Sequence, residues 1–310
     1  MNSQATTGIY CLGNDKVLDW LIAFLESLRT YEPDRRLIII PFDNNVDKLS
    51  QLSHIYNFEL LQDNTLEELD DIGAAINPGK YSDSHMFRKF ASFWGPIDNF
   101  LFLDADIVIL GKLDDLFEGY YISKCDFMHY DTSVEYVYKA GAFREKMMKE
   151  YSSTGFNSGC FLSSKGVLKL DDVRKAGQDA LSIKEHFAMG SDQPFFNYCI
   201  DTKRLKKATF FDFVPDLCKW TWANQKPIKW TEDAYRLMEQ QNPDLGKRLP
   251  FIHWSGILSS PFMPNQKIFL HYRLKNAPWS SRIKYIFYDW WQPGTRAVIS
   301  KLHRKKGMIS

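Results

Sequence analysis

Apolar and polar residues alternate in the first part of the chain in blocks that suit strands and helices in turn. Residues 7–12 form a short apolar run, apolar residues then recur at helical spacing over residues 17–30, and residues 37–40 form a continuous apolar run. Strand, helix and fully apolar strand in this order predict a βαβ unit, whose second strand is buried on both faces of a parallel sheet.

The same alternation continues to about residue 110. We predict a helix over residues 46–55, a strand over 58–61, a helix over 84–94, and a central strand over 100–103 that runs directly into Asp104. Residues 1–110 therefore resemble a nucleotide-binding half-sheet. In residues 111–265 we expect a second half on the same sheet, with strands at 127–130, 159–163, 209–213 and 249–252 and helices at 167–181 and 193–200.

Composition narrows the class of protein. Of 310 residues, 45% are apolar and 25% are charged, which is typical of a globular chain with a sizeable core. A formal net charge of +1 argues against nucleic acid as a partner. The five cysteines are an odd number without a CxxC pair, which favours free thiols in a reducing compartment. The sequence shows neither a signal peptide nor a membrane-spanning run, so we predict a cytoplasmic protein.

The C-terminal extension, residues 266–310, differs in character from the rest. From Trp279 onward, aromatic residues precede a basic cluster that ends in Lys305 and Lys306. Aromatic rings and cations in this order are typical of a peripheral contact with an anionic membrane face. A C-terminal helix that packs on the domain and ends in basic residues is the alternative interpretation.

The strongest local signal for chemistry is Asp104-Ala105-Asp106 at the end of the predicted central strand. Two carboxylates at the carboxyl edge of a parallel sheet are hard oxygen ligands for Mg²⁺ or Mn²⁺, placed where such sheets bind ligands. The same letters match the motif of haloacid-dehalogenase-type phosphatases, in which the first Asp attacks phosphorus. That motif normally follows the first strand and needs a later acidic pair, whereas the pair Asp171-Asp172 lies in a helical pattern.

Four motifs in order make the chain similar to a family 8 glycosyltransferase, the group that includes glycogenin and bacterial lipooligosaccharide galactosyltransferases. The helix that carries Arg88-Lys89-Phe90 precedes Asp104-Ala105-Asp106. The later motifs are Gly155-Phe156-Asn157-Ser158-Gly159-Cys160-Phe161, Ser191-Asp192-Gln193-Pro194-Phe195-Phe196-Asn197 and Phe251-Ile252-His253-Trp254-Ser255-Gly256. The resemblance covers about residues 7–264 and implies an α/β GT-A fold, with a Rossmann-like, mostly parallel sheet and helices on both faces.

The resemblance also implies a role for each motif. It makes Asp104, Asp106 and His253 the ligands of Mn²⁺ or Mg²⁺, and an imidazole beside two carboxylates suits Mn²⁺ more than Ca²⁺. A hydrogen-bonded core histidine is the alternative for His253. Either Arg88 or Lys89 contacts the donor's phosphates or sugar.

Further donor contacts follow from the same resemblance. Asn157 and Ser158 face the donor, and a plain turn before a strand is the alternative. Asp192 and Gln193 flank the anomeric carbon, unless Ser191 or Asp192 merely caps a helix.

The nucleoside is expected over the end of the first strand, where contacts with the donor are predicted by position alone. The residues in question are Tyr10, Cys11, Asn14 and Asp43. The family usually places a lysine after its histidine motif, but here Gly256 is followed by Ile257-Leu258-Ser259-Ser260, with serine in the place of the lysine. Those serines or Lys267 are the candidates to replace the missing cation.

These patterns predict a retaining glycosyltransferase that moves a sugar from a nucleotide-diphosphate sugar, of the UDP type, to a glycan, a lipid-linked or another hydroxyl acceptor. The segment 219–224, which contains Trp220 and Trp222, and the following Trp230 are a candidate acceptor platform, with core packing as the alternative. Two other hypotheses remain at this stage: the phosphatase, and a GT-A scaffold that binds a nucleotide or glycan without turnover.

Overall fold

The computed structural model describes residues 5–77, 84–131, 133–219, 221–224, 228–231, 233–257, 263–280 and 282–283. The strands within these residues are β1 (Thr7–Gly13), β2 (Arg36–Pro41), β3 (Glu59–Leu60), β4 (Asn99–Asp104), β5 (Ile107–Ile109), β6 (Phe127–His129), β7 (Cys160–Ser164), β8 (Lys207–Thr209), β9 (Ile228–Thr231), β10 (Ala234–Leu237) and β11 (Phe251–His253). Seven of them form one sheet in the spatial order β3-β2-β1-β4-β7-β6-β8.

Helices cover both faces of this sheet. The α-helices are α1 (Leu18–Tyr31), α2 (Asp47–Gln51), α3 (Ser53–Tyr56), α4 (Leu66–Ile76), α5 (Asp114–Ser123), α6 (Ala142–Tyr151), α7 (Leu170–Ala180), α8 (Asp192–Thr202), α9 (Phe210–Phe213) and α10 (Gln266–Arg273). Short 3-10 helices cover Asp15–Val17, Met86–Phe93, Val134–Tyr136 and Lys184–His186.

Alternate residues of the central strands enter two different cores, which is the pattern of a sheet buried on both faces. In β4, Phe100 and Phe102 pack into a phenylalanine-rich core together with Phe161 of β7. Leu101 and Leu103 point into the opposite core, against α1 and α5. Burial on both faces explains why the central strands are almost wholly apolar.

Strand direction decides which chain segments meet at the edge of the sheet where β4 ends at Asp104, which we call the functional edge. β3, β2, β1 and β4 are parallel, so they end at one edge of the sheet. β7 is antiparallel to both β4 and β6, and it therefore begins at that same edge, where residues 155–159 precede it.

A small second sheet brings the end of the central strand next to residues that lie far along the sequence. After Asp106 the chain enters β5, which pairs antiparallel with β11 so that Ile107 lies opposite His253. Close by, α10 packs on α1 through an edge-to-face contact between Trp20 and Phe269, and its Arg273 forms an ion pair with Asp19. These contacts tie the start of the predicted C-terminal extension to the first helix.

The structure confirms the predicted α/β sheet but corrects several elements. The predicted strand at 209–213 is wrong, because β8 ends at Thr209 and the Asp212 carboxylate caps a helical turn there. The predicted helix at 84–94 is a 3-10 helix, and the one at 46–55 is two short helices. Helix α4 was not predicted.

All five cysteines are buried and none takes part in a disulfide, as predicted from their number and spacing. Burial raises the pKa of Cys11, Cys160 and Cys199 well above the usual range, so these thiols stay protonated and unreactive. Among the described helices, none has the length and apolar character needed to cross a bilayer.

Candidate active site

Asp104, Asp106 and His253 lie together at the carboxyl end of β4, although 149 residues separate the first from the last. One ligand atom of each residue lies within 4.8 Å of those of the other two. Nε2 of His253 is 3.2 Å from Oδ1 of Asp106, yet among the described side chains it has no partner in hydrogen-bond alignment. A buried nitrogen lone pair beside two carboxylates is the donor set of a divalent transition metal.

The charges of this cluster favour a bound cation. Burial raises the pKa of Asp104, and the Asp106 carboxylate adds to this, although Lys89 opposes it. Burial also acts on Asp106, but contact with His253 outweighs it and lowers the pKa of Asp106. The same contact raises the pKa of His253 against the effect of burial. The Asp104 and Asp106 carboxylates therefore lie close together in a region shielded from water, and a bound cation would stabilise their charged forms.

Lys89 is the cation that enters this group of acids. Its side chain is 1% exposed, and Nζ lies 2.8 Å from Oδ2 of Asp192 and 3.6 Å from Oδ1 of Asp104. It also donates a hydrogen bond to the carbonyl oxygen of Ser158, at 3.2 Å. Burial would lower the pKa of Lys89, but the two carboxylates outweigh it and raise that pKa, so the ammonium group stays charged.

Arg88 points elsewhere, which separates it from Lys89. Its guanidinium binds both carboxylate oxygens of Asp70 and donates a hydrogen bond to the carbonyl oxygen of Pro41, at the end of β2. This contact ties α4 to the first parallel strands and leaves Lys89 as the cation beside the candidate metal ligands.

Hydrogen bonds join the segment before β7 to the start of α8. Asn157 donates from Nδ2 to Oε1 of Gln193 at 3.1 Å, and Ser158 donates from Oγ to Oδ2 of Asp192 at 2.8 Å. The Asn157 side chain also accepts the Gly159 backbone N–H at 2.8 Å, which fixes its rotamer. Asp192 is the first residue of α8 after Ser191, so it lies in the first turn and is also held by Lys89.

Gly159 lies so close to the acid cluster that a side chain has no room. An added Cβ would clash with the Asp104 carboxylate and would lie 2.8 Å from Oδ1 of Asn157. We expect Gly159→Ala to displace Asp104, to lower the free energy of unfolding by about 1–3 kcal/mol, and to weaken Mn²⁺ binding. Thermal unfolding and Mn²⁺ titration measure both effects. Gly111→Ala is the matched control, because its Cβ would meet only Nη1 of Arg248, at 3.7 Å.

Asp131 is a site residue that the sequence analysis missed. It follows β6 at the functional edge, and its Oδ1 accepts the backbone N–H of Asn157 at 3.0 Å. Burial raises the pKa of Asp131 to about 6, despite that hydrogen bond. A carboxylate directly after a predicted strand was the available signal.

The raised pKa of Asp131 predicts a pH-dependent stability. Between its ordinary pKa and about 6, the folded state holds a proton that the unfolded state has lost, so the free energy of unfolding falls as pH rises through this window. We expect Asp131→Asn to be more stable than the parent at pH 7 by about 3 kcal/mol, at 1.36 kcal/mol per pKa unit, with little difference near pH 4. Asparagine also tolerates the backbone φ of 29° found here. Urea unfolding in EDTA at both pH values tests this, and an equal difference at both would contradict it.

Trp222 covers one face of the His253 imidazole. The rings stack with centroids 5.2 Å apart and an interplanar angle of 20°. Backbone hydrogen bonds hold the pair together, because His253 donates to the carbonyl of Thr221 and Ala223 donates to that of His253.

This stacking predicts an effect on metal affinity. We expect Trp222→Leu to weaken Mn²⁺ binding about tenfold, because loss of a group that orients a metal ligand has an effect of this size. The Mn²⁺ affinity of Trp222→Phe should stay near that of the parent. Electron paramagnetic resonance titration of Mn²⁺ measures the affinity. Trp230→Leu, on the exposed strand β9, is the control, and equal affinities in all four proteins would refute the orienting role.

Comparison with known proteins gives the fold. No protein-family model matches the sequence, and no curated protein matches it. The solved structure of galactosyltransferase LgtC with donor and acceptor sugar analogs aligns with a TM-score of 0.57 and 13% identity, covering 89% of this chain and 99% of that chain. An active-site mutant of LgtC aligns with a TM-score of 0.60 and 12% identity over the same shares. The chain has a GT-A fold.

A third similar structure is longer than this chain. The bifunctional glycosyltransferase WbbM aligns with a TM-score of 0.53 and 12% identity, covering 92% of this chain but 52% of that one. These likenesses are in fold alone.

The four residues predicted as donor contacts, which lie in β1 or just after β1 and β2, have different environments in the structure. The side chains of Tyr10 and Cys11 are fully buried in opposite cores, and the Tyr10 hydroxyl accepts the Ile97 backbone N–H, so neither side chain is open to a ligand. Asn14 accepts the backbone N–H of Lys16, and Asp43 forms an ion pair with the Lys16 ammonium group. Burial opposes ionisation of Asp43, but hydrogen bonds from Asn45, Lys16 and Asn14 outweigh it and lower its pKa to about 2.

The remaining predicted residues lie at the margin of the described part. Gly256 is exposed with φ of 68°, and residues 258–262, which include Ser259 and Ser260, lie outside the described residues. Lys267 is exposed in the first turn of α10. Of the predicted aromatic platform, Trp222 lies on His253, Trp230 packs on Tyr235, and residue 220 is not described. Most of the aromatic and basic tail, residues 284–310, also lies outside the described residues.

Proposed function

We propose that this chain is a glycosyltransferase of the family 8 type, which moves a sugar from a UDP-sugar to a hydroxyl acceptor with retention of anomeric configuration. The observation that carries the proposal is the convergence of Asp104, Asp106 and His253 at the carboxyl end of β4 in a GT-A fold, next to the Lys89–Asp192 ion pair.

Mn²⁺ fits this donor set, with Mg²⁺ as the alternative, because Nε2 of His253 is buried 3.2 Å from Oδ1 of Asp106 and has no partner in hydrogen-bond alignment among the described side chains. Asp104, Asp106 and His253 would hold the ion. When bound, it neutralises charge on the diphosphate leaving group. Trp222 and the β5–β11 pairing hold His253 in place for this task.

The protein's own side chains then position the sugar. Lys89 holds Asp192 with an ion pair and Ser158 with hydrogen bonds to its carbonyl and hydroxyl oxygens, so the segment before β7 and the start of α8 have fixed relative positions. Gln193 and Asn157 are paired, and we assign them to the hydroxyl groups of the transferred sugar. In front-side attack the acceptor proton passes to the leaving phosphate oxygen, so the protein supplies orientation and charge rather than a strong base.

No observation favours the phosphatase hypothesis. Asp171 and Asp172 lie in the first turn of α7, where Asp172 caps the helix and both pair with surface cations. The two carboxylates therefore serve in helix capping and in surface ion pairs. They do not form the second acidic pair that a phosphatase site requires.

The proposal is tested by mixing the purified protein with UDP-glucose, UDP-galactose, UDP-N-acetylglucosamine, UDP-xylose or GDP-mannose in the presence of Mn²⁺. We expect a rise in melting temperature and slow hydrolysis for one UDP-sugar, both abolished by EDTA. Binding of UDP and Mn²⁺ without hydrolysis would instead support a scaffold that binds without turnover. No response to any donor would refute the proposal.

A further inference from the structure

A cavity of about 410 Å³ lies on the side of β6 and β8, at the open edge of the central sheet. Its size is within the range of small-molecule sites, roughly 300–1,000 Å³. The described residues that line it include His129, Tyr151, Thr154, Arg204, Lys207 and Asp212. None of them belongs to the candidate metal site or to the predicted donor contacts.

His129 gives this cavity a fixed hydrogen-bond acceptor. The residue is 2% exposed, and its Nδ1 lies 2.9 Å from the backbone carbonyl oxygen of Asp131. A carbonyl only accepts, so Nδ1 carries the proton and Nε2 presents a lone pair. Burial lowers the pKa of His129 to about 4, which keeps the ring neutral near pH 7. Nε2 therefore suits a ligand that donates a hydrogen bond, such as a hydroxyl group.

The charges around the cavity balance, which argues against an ionic ligand. Arg204 and Lys207 are offset by Glu150 and Asp212, all of which line the cavity. Lys207 is already paired with Asp201, and Asp212 already accepts hydrogen bonds from Thr209. A neutral ligand rich in hydroxyl groups leaves these pairs intact.

Tyr151 adds an aromatic ring to the lining of the cavity. It lies at the end of α6 and is partly exposed, with the Arg204 guanidinium 4.8 Å from its ring centroid. Nearby Thr154 is exposed and offers a hydroxyl group. An aromatic ring, hydroxyl groups and a neutral imidazole together match the alternation of apolar faces and hydroxyl edges on a pyranose.

The cavity adjoins the proposed transfer site through a continuous chain of hydrogen bonds. His129 donates to the carbonyl of Asp131, the Asp131 carboxylate accepts from Asn157, and Asn157 donates to Gln193. These hydrogen bonds link the wall of the cavity to the residues assigned to the transferred sugar.

We propose that this cavity, lined by His129, Tyr151 and Thr154, is a subsite for a neutral saccharide unit of the acceptor, next to the unit that receives the transferred sugar. The proposal rests on the proposed function, and it narrows the acceptor to an oligosaccharide or glycoconjugate with at least two sugar units. Phosphorylated acceptors and bare lipid alcohols are not expected to bind here.

The test uses protein labelled with ¹⁵N in histidine, titrated with lactose, maltose, cellobiose and diacetylchitobiose, each singly. We expect one disaccharide to shift the Nε2 resonance of His129 while that of exposed His186 stays unchanged. Tyr151→Leu should weaken that disaccharide about tenfold, equal to about 1.4 kcal/mol, and Tyr151→Phe should retain it. Thr154→Val, at an exposed position, is a second variant with an expected weaker affinity.

Two outcomes would overturn the proposal: no disaccharide moves the His129 resonance, or inorganic phosphate moves it more than any sugar does. Mn²⁺–UDP binding is measured on the same samples by thermal shift. A protein that binds Mn²⁺–UDP but no disaccharide at His129 refutes the subsite alone. A protein that binds the disaccharide but not Mn²⁺–UDP refutes the proposed donor chemistry and leaves the saccharide site in place.

Discussion

Asp106→Asn and His253→Gln are each expected to abolish detectable Mn²⁺ binding and to lower donor hydrolysis about 10³-fold. Each substitution removes one of three ligands from a buried cluster whose members lie within 4.8 Å of one another. A metal contributes several kcal/mol of charge stabilisation to such a leaving group, and each 1.36 kcal/mol is a factor of ten in rate. Isothermal titration with Mn²⁺ and measurement of UDP release test the two parts separately.

The control for this experiment is Asp34→Asn, which makes the same chemical change at an exposed loop position. It should leave both Mn²⁺ affinity and UDP release unchanged. The metal assignment fails if Asp106→Asn still binds Mn²⁺ as tightly as Asp34→Asn does.

Lys89→Met is expected to lower the free energy of unfolding by about 3–5 kcal/mol when Mn²⁺ is absent. The lysine is buried against Asp192 at 2.8 Å and Asp104 at 3.6 Å, and its loss leaves both carboxylates without their cation. Added Mn²⁺ should stabilise the methionine variant more than the parent, because the ion no longer competes with an ammonium group for Asp104. Urea unfolding with and without Mn²⁺ measures this difference.

Lys175→Met is the matched control, since Lys175 is exposed on α7. Its free energy of unfolding should change little, with or without the ion. Equal stabilisation of both methionine variants by Mn²⁺ would mean that Lys89 does not share Asp104 with the metal.

The half-sheet of the first hundred residues was predictable because its strands are buried on both faces. A strand such as β2 has no polar face, so its sequence is a continuous apolar run that ends at a turn residue. Asp104 and Asp106 were predictable for a related reason, since acids that follow a buried strand emerge at the edge where parallel sheets bind ligands.

Residues whose environment depends on long-range pairing could not be predicted in this way. The choice between Arg88 and Lys89 depends on the 3-10 geometry of Met86–Phe93, which turns Arg88 toward Asp70 and Lys89 toward Asp104. The contact of Trp222 with His253 arises from an isolated backbone bridge between an irregular segment and the end of β11. The error at 209–213 has a local cause, because Asp212 caps a helical turn in a sequence that is otherwise rich in strand-forming residues.

The proposed function depends most on one ion held between the end of β4 and β11. The most direct measurement is anomalous X-ray scattering from a crystal of the protein grown with Mn²⁺ and UDP. We predict a single strong manganese peak in contact with Asp104, Asp106 and His253, with the diphosphate of UDP on its open side. A peak at another place, or UDP bound away from these three residues, would contradict the proposed function.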